Sequence, residues 1–190
     1  MRFACLASVA VLGLAVGVAP AADPVENPEF ASWSKFKKGT SITTKKTGTV
    51  AGVTIETTTT TTLLEVGDDK LVLEDVTTSK TSANPQEVKL PALKRNIPKT
   101  IKLPAGRKVE DYIDGTRPGT YENGTETLKV GTVEVKTKWY KTKREENKVK
   151  TDSKRWVSED VPGGLVKAET TIVGAFTSVE KVEVIEFKKP

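Results

Sequence analysis

The chain has 190 residues, a formal net charge of +5, no His and a single Cys, Cys5. That inventory removes imidazole from any acid–base or metal role, and it leaves no thiol beyond the N-terminal segment for a disulfide or a nucleophile. The charge is mild and its signs alternate, as in Lys141-Thr142-Lys143-Arg144-Glu145-Glu146, which describes a solvated surface and argues against a nucleic-acid partner.

The first 21 residues read as a signal peptide of bacterial form. Arg2 gives the positive start, Ala4 to Val18 is apolar, and Ala19-Pro20-Ala21 offers small residues at a cleavage point. The apolar run is shorter than the roughly 20 residues that cross a bilayer as a helix. Cys5 precedes that run rather than ending it, which is the wrong place for lipidation. The expectation is an exported protein, periplasmic or extracellular, with one domain over 22–190 and no transmembrane span in the mature chain. Retention of the segment as an anchor is the lesser alternative. Cleavage removes Arg2 alone among the charged residues, so the mature charge is about +4.

Residues 24–39 hold the one helix candidate. Asn27 suits the cap, Pro28 the first turn and Gly39 the end, with Phe30, Trp33 and Phe36 on one face. From Thr40 the apolar period drops to two. Val53, Ile55 and the tract Thr57–Thr62 predict one strand, and Leu71 to Val76 the next, after a turn at Gly67-Asp68-Asp69. The Thr tract is β-branched and fits a strand with Thr on both faces. A Thr ladder for ice or polysaccharide would need stacked copies of it.

Pro85, Pro91, Pro98 and Pro104 mark residues 84–106 as an irregular connection or a sheet edge. Asp114-Gly115, Pro118-Gly119 and Asn123-Gly124 read as successive turns. Val133, Val135, Thr137 and Trp139 alternate with Glu134, Lys136 and Lys138, the pattern of a strand with one wet face. A further strand leads to Trp156-Val157.

Pro162-Gly163-Gly164 predicts a tight reversal. It should pair the strand ending at Trp156–Ser158 with one starting at Leu165, and should place at least one of Gly163 and Gly164 at positive φ. An extended Gly131 would tolerate a side chain better than either. Val166 to Ile172 and Phe176 to Phe187 complete the strands. The fold expected is mainly β: a long curved antiparallel sheet or half-barrel, a meander of about eight to ten strands, with one short N-terminal helix.

Trp139, Tyr140 and Trp156 fall on what read as adjacent strands. They are the candidate lining of a groove for an acyl chain or a sugar, against the commoner reading of paired core aromatics. Glu159-Asp160 and Glu145-Glu146 read as solvated turn charges, and Asp111 and Asp114 are too sparse for a calcium loop. No catalytic, metal or cofactor residue emerges, and the chain reads as a non-enzyme.

The stretch from Lys138-Trp139-Tyr140 through Lys154-Arg155-Trp156-Val157-Ser158-Glu159-Asp160-Val161-Pro162-Gly163-Gly164-Leu165-Val166-Lys167 resembles the LolA-like superfamily of periplasmic lipoprotein carriers. The likeness is motif-level over 138–167 and extends in order and character over 40–187. It implies a curved antiparallel sheet around a helical plug, holding a lipid or another amphiphile in its concavity. The family's carriers have more helix and a more apolar concave face than this sequence offers. A cell-envelope module with a filled core and no ligand is the alternative function.

Overall fold

The alternation that starts at Thr40 becomes a ten-stranded antiparallel sheet in the computed structural model, which describes residues 24–104 and 106–190. The expected signal peptide, residues 1–21, lies outside the described residues. In chain order the elements are β1 (Val25–Glu26), α1 (Pro28–Trp33), β2 (Ser41–Val50), β3 (Val53–Val66), β4 (Lys70–Thr81), β5 (Val88–Lys89), β6 (Leu93–Pro98) and β7 (Thr100–Ile101). A 3-10 turn (Val109–Tyr112) follows, then β8 (Thr120–Val130), β9 (Val133–Glu146), β10 (Val149–Val157), β11 (Leu165–Val173) and β12 (Thr177–Lys188).

The sheet is open, not closed into a barrel. Its order is β5-β4-β3-β2-β12-β11-β10-β9-β8, and β6 pairs β4 beside β5. Two meanders therefore meet at one long-range seam, where β2 pairs β12 from Ser41 opposite Lys188 to Val50 opposite Ser178. The Pro-rich stretch supplies the edge. β5 pairs β4 at Thr78–Ser79, and β6 pairs it at Lys70–Asp75. Short strands carrying Pro suit an edge because Pro donates no ladder hydrogen bond.

The helix is shorter than the sequence suggests. Asn27 caps it as expected for a short polar residue, its Oδ1 accepting from Glu29 N at 3.0 Å, but the helix stops at Trp33. Phe36 N then donates to Trp33 O at 3.0 Å, and the chain turns toward β2. Gly39, at φ +89, lies well past the helix. The six helical residues are enough to bury Phe30 and Trp33 against the sheet. Asn27 Nδ2 also donates to Pro98 O at 3.0 Å, which ties the cap to β6.

One cluster of buried apolar residues joins α1 to the sheet. It includes Leu63, Leu71 and Leu73, which have no exposed surface, with Ile42, Ile97, Val166, Val184 and Trp156. Fully burying side chains of this size contributes about 1.5–3 kcal/mol each.

Two glycines depart from the sequence reading. Asn123-Gly124 is no turn: it lies inside β8, where Gly124 pairs Trp139. A Cβ on Gly124 would stand 2.6 Å from Trp139 Cζ2, so the missing side chain makes room for the indole. Gly131 is not extended. It takes φ +59 in the two-residue hairpin between Val130 and Val133, where a positive φ at the first turn position suits the twist of the flanking strands.

Candidate functional site

Beside the buried cluster, the space between α1 and the sheet is not filled. An open cavity of about 1480 Å³ is bounded by α1, the loop at 112–117, the turn at 158–164 and one face of the sheet. Trp33, Ile42, Val157, Leu165 and Val182 give it apolar wall, while Arg95, Asp114, Arg117, Lys136, Lys138 and Arg155 give it charge.

Sheet register decides which side chains look into it. Trp139 pairs directly with Trp156, and Tyr140 pairs with Arg155. Neighbours along a strand point to opposite faces, so the two tryptophans share one face and Tyr140 and Arg155 share the other. Tyr140 lines the cavity beside Arg155. Trp139 and Trp156 do not meet Tyr140; they stack under ammonium groups instead. Lys154 Nζ lies 4.3 Å from the Trp139 ring centre and 4.4 Å from that of Trp156, and Lys167 Nζ lies 4.7 Å from Trp156. Trp156 is buried, and its Nε1 donates to Glu126 Oε2 at 2.8 Å.

The loop over Tyr140 is placed by contact with its ring. Gly115 sits at φ +97, and a Cβ there would fall 2.7 Å from Tyr140 Cε1. This contact brings Asp114 and Arg117 over β9 and β10. Arg155 Nε donates to Asp114 Oδ1 at 2.8 Å, and Arg117 Nε approaches the same oxygen at 3.4 Å without the alignment of a hydrogen bond. Arg117 Nε is buried and has no hydrogen-bond partner; only its guanidinium end is held, donating to Tyr112 O at 3.2 Å. Burial, with Arg155 and Arg144 nearby, pushes the Arg117 pKa down from its ordinary value, against the pull of Asp114.

Arg95, on the other side of the cavity, is differently placed. It donates to Asp75 Oδ2 at 2.6 Å and to Glu29 Oε1 at 2.8 Å. Burial opposes its charge, but these two carboxylates outweigh burial and raise its pKa.

At the reversal between β10 and β11, Gly164 N donates to Val161 O at 2.9 Å, and Ser158 N donates to Gly164 O at 2.8 Å. Pro162 stands at the second position of this turn, with Gly163 at φ +77 and Gly164 at φ +76. Gly163 lies against Trp33: a Cβ on it would be 3.2 Å from Trp33 Nε1. The turn thus supports the helix as well as reversing the chain. Glu159 is almost fully exposed and meets Lys35 Nζ at 3.5 Å, and Ser158 Oγ accepts from Asp160 N at 3.3 Å.

Sequence reasoning missed Asp114, Arg117, Arg155, Lys136 and Lys138. Asp114 was legible only as a turn residue and the two lysines only as a wet strand face. The signal available was the even spacing of Lys136, Lys138 and Tyr140, which puts all three on one face. Among the described residues, no group of three or more Asp or Glu is placed to hold a metal ion, and no helix is long and apolar enough to cross a membrane.

The sequence matches no family model and no curated protein. Solved structures give distant likenesses. An exported-protein candidate with a YmcC-like fold from Bacteroides fragilis is 11% identical, over 81% of this chain and 97% of that one, at a TM-score of 0.38. A lipoprotein candidate from Parabacteroides distasonis is 14% identical, over 80% and 96%, at 0.36. A LolA superfamily protein from Nitrosomonas europaea is 7% identical, over 85% and 92%, at 0.25. At these scores the three are likenesses in the run of the chain and carry neither function nor family to this protein.

Proposed function

We propose that this chain is an exported, non-catalytic protein that takes an amphiphilic molecule, a lipid or a similar compound, into the cavity between α1 and the sheet. The observation that carries this reading is the unfilled volume of about 1480 Å³ with both apolar and charged wall. Pockets for small ligands usually occupy about 300–1,000 Å³, so there is room for a chain-like molecule. Export rests on Arg2, the apolar run Ala4–Val18 and Ala19-Pro20-Ala21. The non-catalytic reading rests on the absence of His and of any Cys beyond Cys5. The resemblance of residues 138–167 to LolA-like carriers points the same way.

Trp33 is the one tryptophan of three that lines the cavity. A dansylated fatty acid should therefore quench tryptophan emission by energy transfer and brighten on binding, and Trp33→Phe should remove the larger part of that transfer. Solvent extraction of protein purified from its native envelope should yield a bound amphiphile by mass spectrometry. An unaltered probe signal together with an empty extract would instead establish the ligand-free envelope module.

A further inference from the structure

At the end of the cavity under the 112–117 loop, cations outnumber carboxylates. Asp114 Oδ1 is the shared anionic partner of two guanidinium groups, Arg155 at 2.8 Å and Arg117 at 3.4 Å. Asp114 is the better-buried member of the trio, with 15% of its side chain exposed. One carboxylate against two cations leaves a net positive charge at this end of the cavity. Arg117 adds a second sign of the same shortage, since its buried Nε finds no acceptor. A buried donor without a partner costs free energy, and a ligand oxygen would supply what is missing.

The excess continues along β9. Lys136 and Lys138 stand two residues apart on the face that carries Tyr140, and both line the cavity. Among the described residues neither lies within ion-pair distance of a carboxylate, whereas most strand lysines elsewhere, such as Lys45, Lys46, Lys80 and Lys181, do. The remaining cavity cations are spoken for: Arg95 by Asp75 and Glu29, and Lys35 by Glu159. The apolar wall lies toward α1 and the turn, at Trp33, Ile42, Val182 and Leu165. Glu126 also lines this end but is engaged by Trp156 Nε1 and Lys154, so the cations still outnumber the free carboxylates here, while the far end carries the apolar wall beside Glu29, Glu159 and Asp160.

We infer that the cavity selects an anionic amphiphile, its phosphate or carboxylate head held by Arg117 and Arg155 with Lys136 and Lys138 beside them, and its chain laid along Trp33, Ile42 and Val182. This rests on the amphiphile-binding reading given above and specifies its substrate class. Guanidinium groups suit the task because their forked donors match the paired oxygens of a phosphate or carboxylate. The lowered pKa of Arg117 fits the same picture, because an incoming anion would offset the burial of its charge first and its repulsion from Arg155 and Arg144 second.

Octyl phosphate and octyl glucoside, each kept below its micelle concentration, carry the same tail under different heads and separate the two claims. Titration calorimetry on the mature chain at low ionic strength should show octyl phosphate binding at least tenfold more tightly, a preference that shrinks as salt is raised. Arg117→Gln and Arg155→Gln should each remove most of the preference, with circular dichroism and thermal melts certifying the fold of the variants. Lys138→Gln changes an exposed, unpaired side chain that the fold does not need, and it should lower octyl phosphate affinity severalfold. Asp114→Asn removes the carboxylate shared by the two guanidinium groups and should tighten octyl phosphate binding, an effect that damage to the fold does not produce. Equal affinity for the two octyl compounds would overturn the anion selectivity while amphiphile binding stands. Failure of both to bind would overturn amphiphile binding and the selectivity with it. Displacement of octyl phosphate by an equal concentration of inorganic phosphate would show that the tail contributes nothing, and would reduce the site to one for a simple anion.

Discussion

Gly163 and Gly164 follow one another in the left-handed region, a backbone state that costs an L residue steric energy. They differ in what surrounds them. A side chain on Gly163 meets the Trp33 indole at 3.2 Å, whereas beside Gly164 the nearest atom is Ser32 Cβ at 4.0 Å. Gly164→Val should cost about 1–3 kcal/mol from backbone strain alone, and Gly163→Val should cost more because it also displaces α1. Gly131→Val belongs with Gly164→Val, since its φ of +59 imposes the same strain with 3.4 Å of clearance to Ile185 O. Thermal melts of the three variants check the order; equal melting temperatures for Gly163→Val and wild type would rule out the turn–helix contact. Residue identity made the 162–164 reversal legible, because Pro and Gly have few other uses in that order. Alternation along β9 already sets Trp139 and Tyr140 on opposite faces; what residue identity could not reveal is which of those faces the cavity occupies.

Among the elements, β3 shows how a low-complexity strand is stabilised. Thr59 Oγ1 bonds Thr77 Oγ1 at 3.0 Å, Thr60 bonds Thr43 at 3.1 Å, and Thr61 donates to Asp75 Oδ1 at 2.6 Å, so the tract is tied to both neighbours by cross-strand hydroxyls. At its N-terminal end Glu56 accepts from Lys45 at 2.6 Å and Lys80 at 2.9 Å, spanning β2, β3 and β4. Hydrogen bonds from Lys45 and then Lys80 hold the Glu56 pKa below its ordinary value. The carboxylate therefore ionises more readily folded than unfolded. Its contribution is fully present above the ordinary glutamate range and is lost as pH falls through the folded pKa. Glu56→Gln should melt slightly below wild type at pH 7, by a few degrees at most for a half-buried group bridged at the surface, and the two melting curves should converge as the pH falls through the lowered pKa of Glu56. A gap that widened on acidification would contradict the bridge. Alternation made strands such as β9 and β11 readable. The length of α1 was not, because its end is set by the chain's turn toward β2 at Phe36 rather than by a stop residue. The pairing of β5 and β6 was hidden too, since their Pro-rich stretch has no period and owes its place to the free edge of β4.

For the whole molecule the decisive pairing is β2 with β12. Lys181 sits in the middle of that seam, opposite Thr47 on one side and Glu169 on the other. Lys181→Pro removes a ladder donor from an interior strand and should cost at least about 1–3 kcal/mol, the penalty of a stranded backbone partner. Lys181→Ala, which keeps the backbone and loses only an exposed side chain, should stay close to wild type. Denaturant midpoints of the two distinguish them. If the proline variant unfolds at the same concentration as the alanine variant, the two meanders do not depend on each other through this strand. The open form of the sheet was foreseeable from strand count and turn spacing, but the seam was not: nothing local in residues 41–50 or 177–188 names the other as partner.

The seam also sets the order of events when the chain is made. Each meander consists of hairpins between neighbours in sequence, contacts that form early and quickly. Ser41 must wait for Lys188, about three quarters of the chain's length away. Until the twelve residues of β12 are free to pair, β2 keeps one edge bare, and the helix rests on half a floor. Completion of the sheet therefore waits on β12, and until that strand pairs the first meander stays slack along this edge.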